Sequence, residues 1–192
     1  MPTDRLPEGE EKRQAVRSMF DTIAPRYDLV NRIMTFRMDV GLRRRTMKET
    51  AFPPNSLVLD LAAGTGDFCI ELNKRGHRAI GVDLSYGMLA AARTSAPLVQ
   101  GDLLALPTPN DSVDGAVCGY ALRNLVELPA FFDELARVVR SGGRIGLLDV
   151  LFGNEDELMT LTKAKSHAEA IEMMRGRCEI LCATKGAEGS LI

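Results

Sequence analysis

No stretch of this 192-residue chain stays apolar for the roughly 18 residues that a membrane-spanning helix needs, so no such helix is expected. Charge of one sign is also missing: the net charge of −2 is not the basic balance of a general nucleic-acid binder. The opening, MPTDRLPEGEEKRQ, is polar and acidic, unlike a secretory leader, and a cytoplasmic setting is expected. Histidine occurs only as His77 and His167, which stand apart from each other and offer no ligand geometry. The cysteines, Cys69, Cys118, Cys178 and Cys182, lie among apolar neighbours, and the three-residue gap between the last two has no partnering His. Reduced core thiols and no metal site follow. Repeats and low-complexity tracts are absent, so nothing suggests a repeat architecture.

What remains is an ordinary globular composition, 45% hydrophobic and 26% charged, in a chain long enough for one sizeable core. The most informative stretch is Val58 to Phe68, VLDLAAGTGDF. It reads as an apolar strand, a small-residue turn from Ala62 to Gly66, and the start of a helix. Glycine in such a turn lets the backbone approach a ligand closely, and the free N–H groups of the helix start face it. Seventeen residues after Gly66, Asp83 ends a second apolar run, where a carboxylate can accept both hydroxyls of a ribose. A bound nucleoside is therefore expected. The dinucleotide fingerprint is only partly met, because Cys69 stands at its third glycine.

Periodicity gives alternating elements. Val16, Met19, Phe20 and Ile23 mark an amphipathic helix that Pro25 interrupts, and a second helical stretch runs from about Tyr27 to Glu49, closed by Pro53 and Pro54. Strands are predicted at 57–61, 78–82, 97–100, 113–118 and 144–149, with helices at 67–75, at 86–94 behind Ser85 as N-cap, and at 127–140. On the last helix Leu128, Phe131, Phe132, Leu135, Val138 and Val139 are expected on one face, with Ser141-Gly142-Gly143 as its end. In the tail a helix over 155–175 carries Leu161, Ala164, Ala168 and Ile171 on one side, and a strand follows at 178–183. Strands alternating with helices at this spacing mean an α/β fold with a doubly wound, mostly parallel sheet. The expected organisation is a single domain: a helical lid over 1–54, a cofactor-binding core over 55–150, and a tail over 151–192.

The pattern D-x-A-x-G-T-G-D from Asp60 to Asp67 resembles the first motif of class I S-adenosylmethionine (AdoMet) methyltransferases, and Asp83 and the string VQGDL at 99–103 stand where their second and third motifs would. The N-terminal string from Val16 to Met47 and YALRNL at 120–125 narrow this: they are similar to the C-methyltransferases of menaquinone and ubiquinone biosynthesis, most of all to the demethylmenaquinol type. The likeness runs over roughly residues 12–149. It implies a Rossmann-like class I methyltransferase that uses AdoMet to methylate a ring carbon of a prenylated quinol. Gly64, Thr65 and Gly66 would form the cofactor turn, with Asp60 holding that turn or reaching the methionine amino group. Asp83 would take the ribose, Met88 would pack on the adenine, and Asp102 and Leu103 would flank the adenine edge. Gly119 would lie along the cofactor, and Tyr27 with Asp28 would close over it. Arg123 and Asn124 would act on the phenol: the first stabilises the phenolate and the second orients water or the ring oxygen.

Several positions carry plainer readings. Asp60 could simply cap the glycine turn, Met88 and Leu103 could be core, Asp102 a turn residue, and Arg123 a surface ion pair. The basic run Arg43-Arg44-Arg45 is a solvated helical face, or a peripheral contact with an anionic lipid surface that would suit a membrane-dissolved quinol. The family carries a tryptophan before two arginines where this chain has Leu42. After Val150 it continues with a longer insert that helps to roof the quinone, so this chain's C-terminal end reads as incomplete. An edge near Ile145 to Leu148 would then need cover from the tail strand or from a homodimer. A methyltransferase for another small aromatic acceptor and a catalytically silent AdoMet-binding subunit stay open. An NAD-dependent oxidoreductase is disfavoured by Cys69 and by the lack of a substrate domain.

Overall fold

Strand β1, Leu57–Leu61, is the central strand of the main sheet: Val58, Leu59 and Leu61 are at most 1% exposed, as a strand paired on both edges and covered on both faces requires. The computed structural model describes residues 9–27, 38–125, 127–148, 150–154, 165–166, 169, 180–184 and 190–191. They form two compact units, Met1–Leu147 and Leu148–Ile192. In the first, helix α1 spans Gly9–Ile23 and passes into a short 3-10 turn, Ala24–Arg26, at Pro25; helix α2 spans Met38–Thr50. Tyr27, the predicted start of the second helix, is helical, and residues 28–37, Asp28 included, lie outside the described residues. After β1 come α3, Asp67–Lys74; β2, Arg78–Asp83; α4, Tyr86–Ala90; β3, Leu98–Gln100; β4, Val113–Gly119; α5, Leu128–Val138; and β5, Val139–Leu148.

The sheet order is β3-β2-β1-β4-β5, with β1 parallel to β2 and β4, and β2 parallel to β3. The order reverses between β1 and β4, so the loops leaving these two strands diverge and open a crevice at their carboxyl ends. Two glycines permit close packing. A Cβ on Gly81 would stand 2.6 Å from Leu98 Cδ2, and one on Gly115 2.3 Å from the Arg144 carbonyl oxygen.

Three expectations change. Helix α4 ends at Ala90 rather than near residue 94, because the chain turns back and the Arg93 N–H donates to the Thr65 carbonyl at 3.1 Å. Helix α5 passes directly into β5 at Val139, whose backbone is extended, so Ser141-Gly142-Gly143 lies inside a strand and does not end the helix. Of the face predicted for α5, Phe131, Leu135 and Val138 are buried on the helix and Val139 just beyond its end, whereas Leu128 and Phe132 are 42% and 44% exposed. At about 100° per residue they sit on the flank of the stripe that meets Leu59, Leu61, Val113 and Cys118.

In the second unit β6, Val150–Asn154, runs parallel to β7, Ile180–Thr184, and β8, Ser190–Leu191, runs antiparallel to β7. The tail strand thus belongs to a three-stranded sheet of its own, and the main sheet ends at β5. The sequence predicts one tail strand, at 178–183, and does not anticipate β6, which is as long as β7. Most of the predicted 155–175 helix lies outside the described residues. Among the described residues no helix is long and apolar enough to cross a membrane. Cys69 and Cys118 are buried and form no disulfide, and no metal-binding cluster is present among the described residues.

Phe131 is fully buried while its neighbour Phe132 is not. Phe131→Ala should lower stability by about 3–5 kcal/mol, and Phe132→Ala by under about 1 kcal/mol. Chemical denaturation followed by circular dichroism reads both, and equal losses would show that α5 docks on a different face.

Candidate functional site

The crevice at the ends of β1, β2 and β4 begins with a backbone that few residues tolerate. Ala62, Gly64 and Gly66 all have positive φ, at 55°, 55° and 85°. Glycine accepts this freely, whereas Ala62 bears strain. The Ala63 N–H donates to Val82 O at 3.0 Å and the Gly66 N–H to Ala63 O at 2.8 Å, which fixes the turn against β2. Gly66 is the N-cap of α3 and offers no side-chain oxygen to the helix. Asp60 supplies it from the strand: its Oδ2 accepts from the Cys69 N–H at 2.9 Å. The contact present thus caps the first turn of α3, just beyond the glycine turn.

Asp60 is 1% exposed, and burial pushes its pKa up to about 7, only partly offset by its bonds with Cys69. Burial raises the Cys69 thiol as well, with Asp60 adding to it. Asp83 at the end of β2 has more structural purpose than an isolated strand-end carboxylate. Its Oδ2 accepts from the Gly64 N–H at 2.7 Å and its Oδ1 from the Ser85 N–H at 2.8 Å. Burial raises its pKa, against the lowering effect of those bonds. Ser85 is the N-cap of α4, as predicted, its Oγ accepting from the Met88 N–H at 3.1 Å.

A largely apolar pocket lies in front of this turn. Of the sequence-predicted site residues, Tyr27, Gly64, Asp83, Met88, Asp102, Leu103, Gly119 and Asn124 line it. Asp60 and Thr65 line an adjoining depression shared with Tyr27, Gly64 and Gly119. Gly66 lines neither; it caps α3, and a Cβ there would stand 2.6 Å from Thr94 Cγ2. Met88 and Leu103, at 2% and 6% exposure, are core residues, as their plainer reading has it, that also line the pocket. A Cβ on Gly119 would meet Phe68 Cε2 at 2.6 Å, which leaves that wall no room for a side chain. Asn124 and Arg123 share a 3-10 turn, Leu122–Asn124, after β4; the Arg123 side chain lies outside the described residues.

The other wall is α1, and it was only partly legible. Val16 and Phe20 carried a signal, the helical apolar stripe, but nothing marked Arg13 or Tyr120 as pocket residues. Phe20 meets Tyr27 edge-on with ring centres 6.0 Å apart. Asp21 fastens the helix: its Oδ1 accepts from Ser85 Oγ at 2.5 Å and from the Gly87 N–H at 2.9 Å, and these bonds lower its pKa. A Cβ on Gly87 would stand 3.0 Å from Asp21 Cα, so glycine there is what permits the approach. Lys12 adds a bond to the Leu125 carbonyl at 3.1 Å.

The basic run of α2 is not a uniformly solvated face. Arg43 is mostly buried and bridges Asp39 at 2.9 Å and Asp67 at 2.8 Å, tying α2 to the start of α3. Arg45 pairs with Glu49 along the helix. Two of the three charges are engaged within the protein, which weakens the case for a lipid-facing patch.

Comparison with known proteins gives three results. The model of the ubiE/COQ5 methyltransferase family matches residues 8–164. A demethylmenaquinone methyltransferase of Corynebacterium kroppenstedtii is 42% identical over 137 residues, 71% of this chain and 60% of that protein. One of Deinococcus radiodurans is 40% identical over 157 residues, 76% of this chain and 65% of that protein. This chain thus spans about 60% of the length of the C. kroppenstedtii relative. Among solved structures, a SAM-dependent methyltransferase of Aquifex aeolicus shares the fold with a TM-score of 0.51 and 20% identity, over 56% of this chain and 63% of that one. The [4+2]-cyclase SpnF shares it with a TM-score of 0.63 and 19% identity, over 75% and 62%. Both likenesses concern the fold alone.

A carboxyl whose folded pKa stands near 7, against an ordinary 3.8, binds a proton in the folded state that the unfolded state has lost. Its contribution is therefore fully present below pH 3.8 and lost as pH rises through about 7. The stability of the parent relative to Asp60→Asn should fall between those limits and level off above them. Thermal melts of both proteins across that interval check this; a constant difference would mean that Asp60 is ionised throughout.

Proposed function

We propose that this chain, which belongs to the ubiE/COQ5 methyltransferase family, binds AdoMet in the crevice beside Gly64 and methylates a ring carbon of a prenylated quinol, most specifically demethylmenaquinol. The observation that carries the reading is the gathering of Gly64, Asp83, Met88, Asp102, Leu103 and Gly119 around one pocket at the reversal of strand order. The names of the two bacterial relatives support the choice of substrate.

The residues present fit the cofactor. Asp83 accepts from the Gly64 and Ser85 N–H groups, and because a carboxylate has about four acceptor positions it keeps capacity for a ribose hydroxyl. Gly64 leaves the backbone bare where the sugar and the methionine portion would pass, and the apolar surfaces of Met88 and Leu103 suit an adenine ring. When bound, AdoMet supplies a methyl group on a sulfonium, already electrophilic, so the protein has mainly to align the partners and exclude water. That task falls to α1, whose Val16 and Phe20 wall the pocket, and to Tyr27. Asn124, on the pocket wall, orients the phenol or a water that takes its proton. Arg123, in the same turn, offsets the negative charge that appears on the ring oxygen as the carbon becomes nucleophilic.

Asp83→Ala should weaken AdoMet binding by about 1.5–3 kcal/mol. Because the change also frees Gly64 and Ser85, Asp83→Asn should be measured beside it: it retains an oxygen for one of them. Unchanged affinity by calorimetry in both folded variants would remove the assignment.

Purified protein given labelled AdoMet and a demethylmenaquinol analogue under reducing conditions should transfer label to the ring, and Arg123→Ala should lower kcat while leaving AdoMet affinity nearly unchanged. Transfer only to unprenylated aromatics would point to another acceptor, and binding without any transfer to a silent subunit.

A further inference from the structure

We propose that Arg13 is a positioning residue of the pocket: it fixes the Asp102 carboxylate at the end that receives the base and so makes the site prefer a 6-amino purine over a 6-oxo purine. The proposal rests on the AdoMet reading above. Arg13 and Asp102 lie 89 positions apart in sequence, one on α1 and one in the loop after β3, and both line the pocket. One guanidinium nitrogen of Arg13 donates to Asp102 Oδ2, and the other donates to Glu10 one turn back. Glu10 is held in turn by Gln14 at 3.2 Å. The second oxygen of Asp102, Oδ1, accepts from the Leu104 N–H at 3.0 Å.

Both carboxylate oxygens therefore have fixed directions, one set by the loop backbone and one by the lid helix. At 39% and 25% side-chain exposure this ion pair contributes little to folding. Its effect is geometric, because the planar guanidinium presents its donors in a rigid fork that Glu10 holds in place. A carboxylate only accepts hydrogen bonds, and each oxygen keeps a lone pair after taking one donor. The 6-amino group of adenine offers a donor to such a lone pair, whereas a 6-oxo group would set one acceptor against another. Discrimination of this kind is strong only when the acceptor cannot turn away. Without Arg13, the Leu104 N–H would still hold one oxygen of Asp102, but the other would be free to turn.

The test is calorimetric binding of S-adenosylhomocysteine and S-inosylhomocysteine, which differ at purine position 6, to the 192-residue protein. Wild type should prefer the adenosyl ligand by roughly tenfold or more, the scale of one hydrogen bond to a charged group. Arg13→Ala should shrink that ratio several-fold, and Arg13→Lys should recover part of it. Arg17→Ala alters the same helix and the same pocket wall, but its partner is Asp21 at 3.9 Å, so it should keep the wild-type ratio even if both ligands bind more weakly. A wild-type ratio in folded Arg13→Ala would overturn the proposal, as would an equal collapse in Arg17→Ala, which would make the effect one of the lid in general. A wild type that binds neither ligand would overturn the AdoMet reading itself.

Discussion

The arrangement around the pocket depends on one carboxylate, that of Asp83. It accepts from the backbone of the glycine turn through Gly64 and from the start of α4 through Ser85, and so joins the loops that follow β1 and β2. Ser85 extends the connection, holding the Met88 N–H with its oxygen while donating its proton to Asp21 on α1. Helix α1, the glycine turn and the start of α4 are thus linked through three side chains, those of Asp83, Ser85 and Asp21. Such a chain of bonds is strong only when every member is satisfied, since a buried polar group left unpaired costs about 1–3 kcal/mol.

The same region concentrates strain and desolvation. Ala62 holds a left-handed backbone, Gly64 and Gly66 follow it, and Asp60 is buried deeply enough to raise its pKa to about 7. Each of these is unfavourable alone, and the packed sheet around β1 compensates: Val58, Leu59, Leu61, Val82 and Val117 are all nearly free of solvent contact. A backbone bare of side chains at the mouth of a rigid sheet is what a large polar ligand requires, and a softer scaffold could not hold it open.

Helix α1 is held on a different principle. Helix α1 has no fully buried residue, and its polar links run through Lys12, Arg13 and Asp21. Its apolar side chains, Val16 and Phe20, face the pocket, so a ligand filling the pocket would bury them and tighten the helix. Segments with few buried contacts open at low free energy, so α1 is the wall of the pocket that opens most readily.

Most elements of the first unit were legible because their signals are local. Apolar runs ending in small residues gave β1, β2 and β4 almost to the residue, and Ser85 announced the start of α4. The glycine turn, Asp83 and the loop at Asp102 were legible because each stands where an apolar run ends, and on this fold those strand ends open on the crevice. Local signals erred where long-range contacts took over, as when Thr65 turned the chain beyond α4 and when α5 ran straight into β5. The sequence by itself determined the alternation of elements, the switch-point crevice and the residue types at its rim. Only the tertiary structure decided that Asp60 caps α3, that Arg43 is buried between Asp39 and Asp67, and that Arg13 reaches Asp102, because a polar side chain's partner is set by which distant segments pack together, and no periodicity along the chain encodes that pairing.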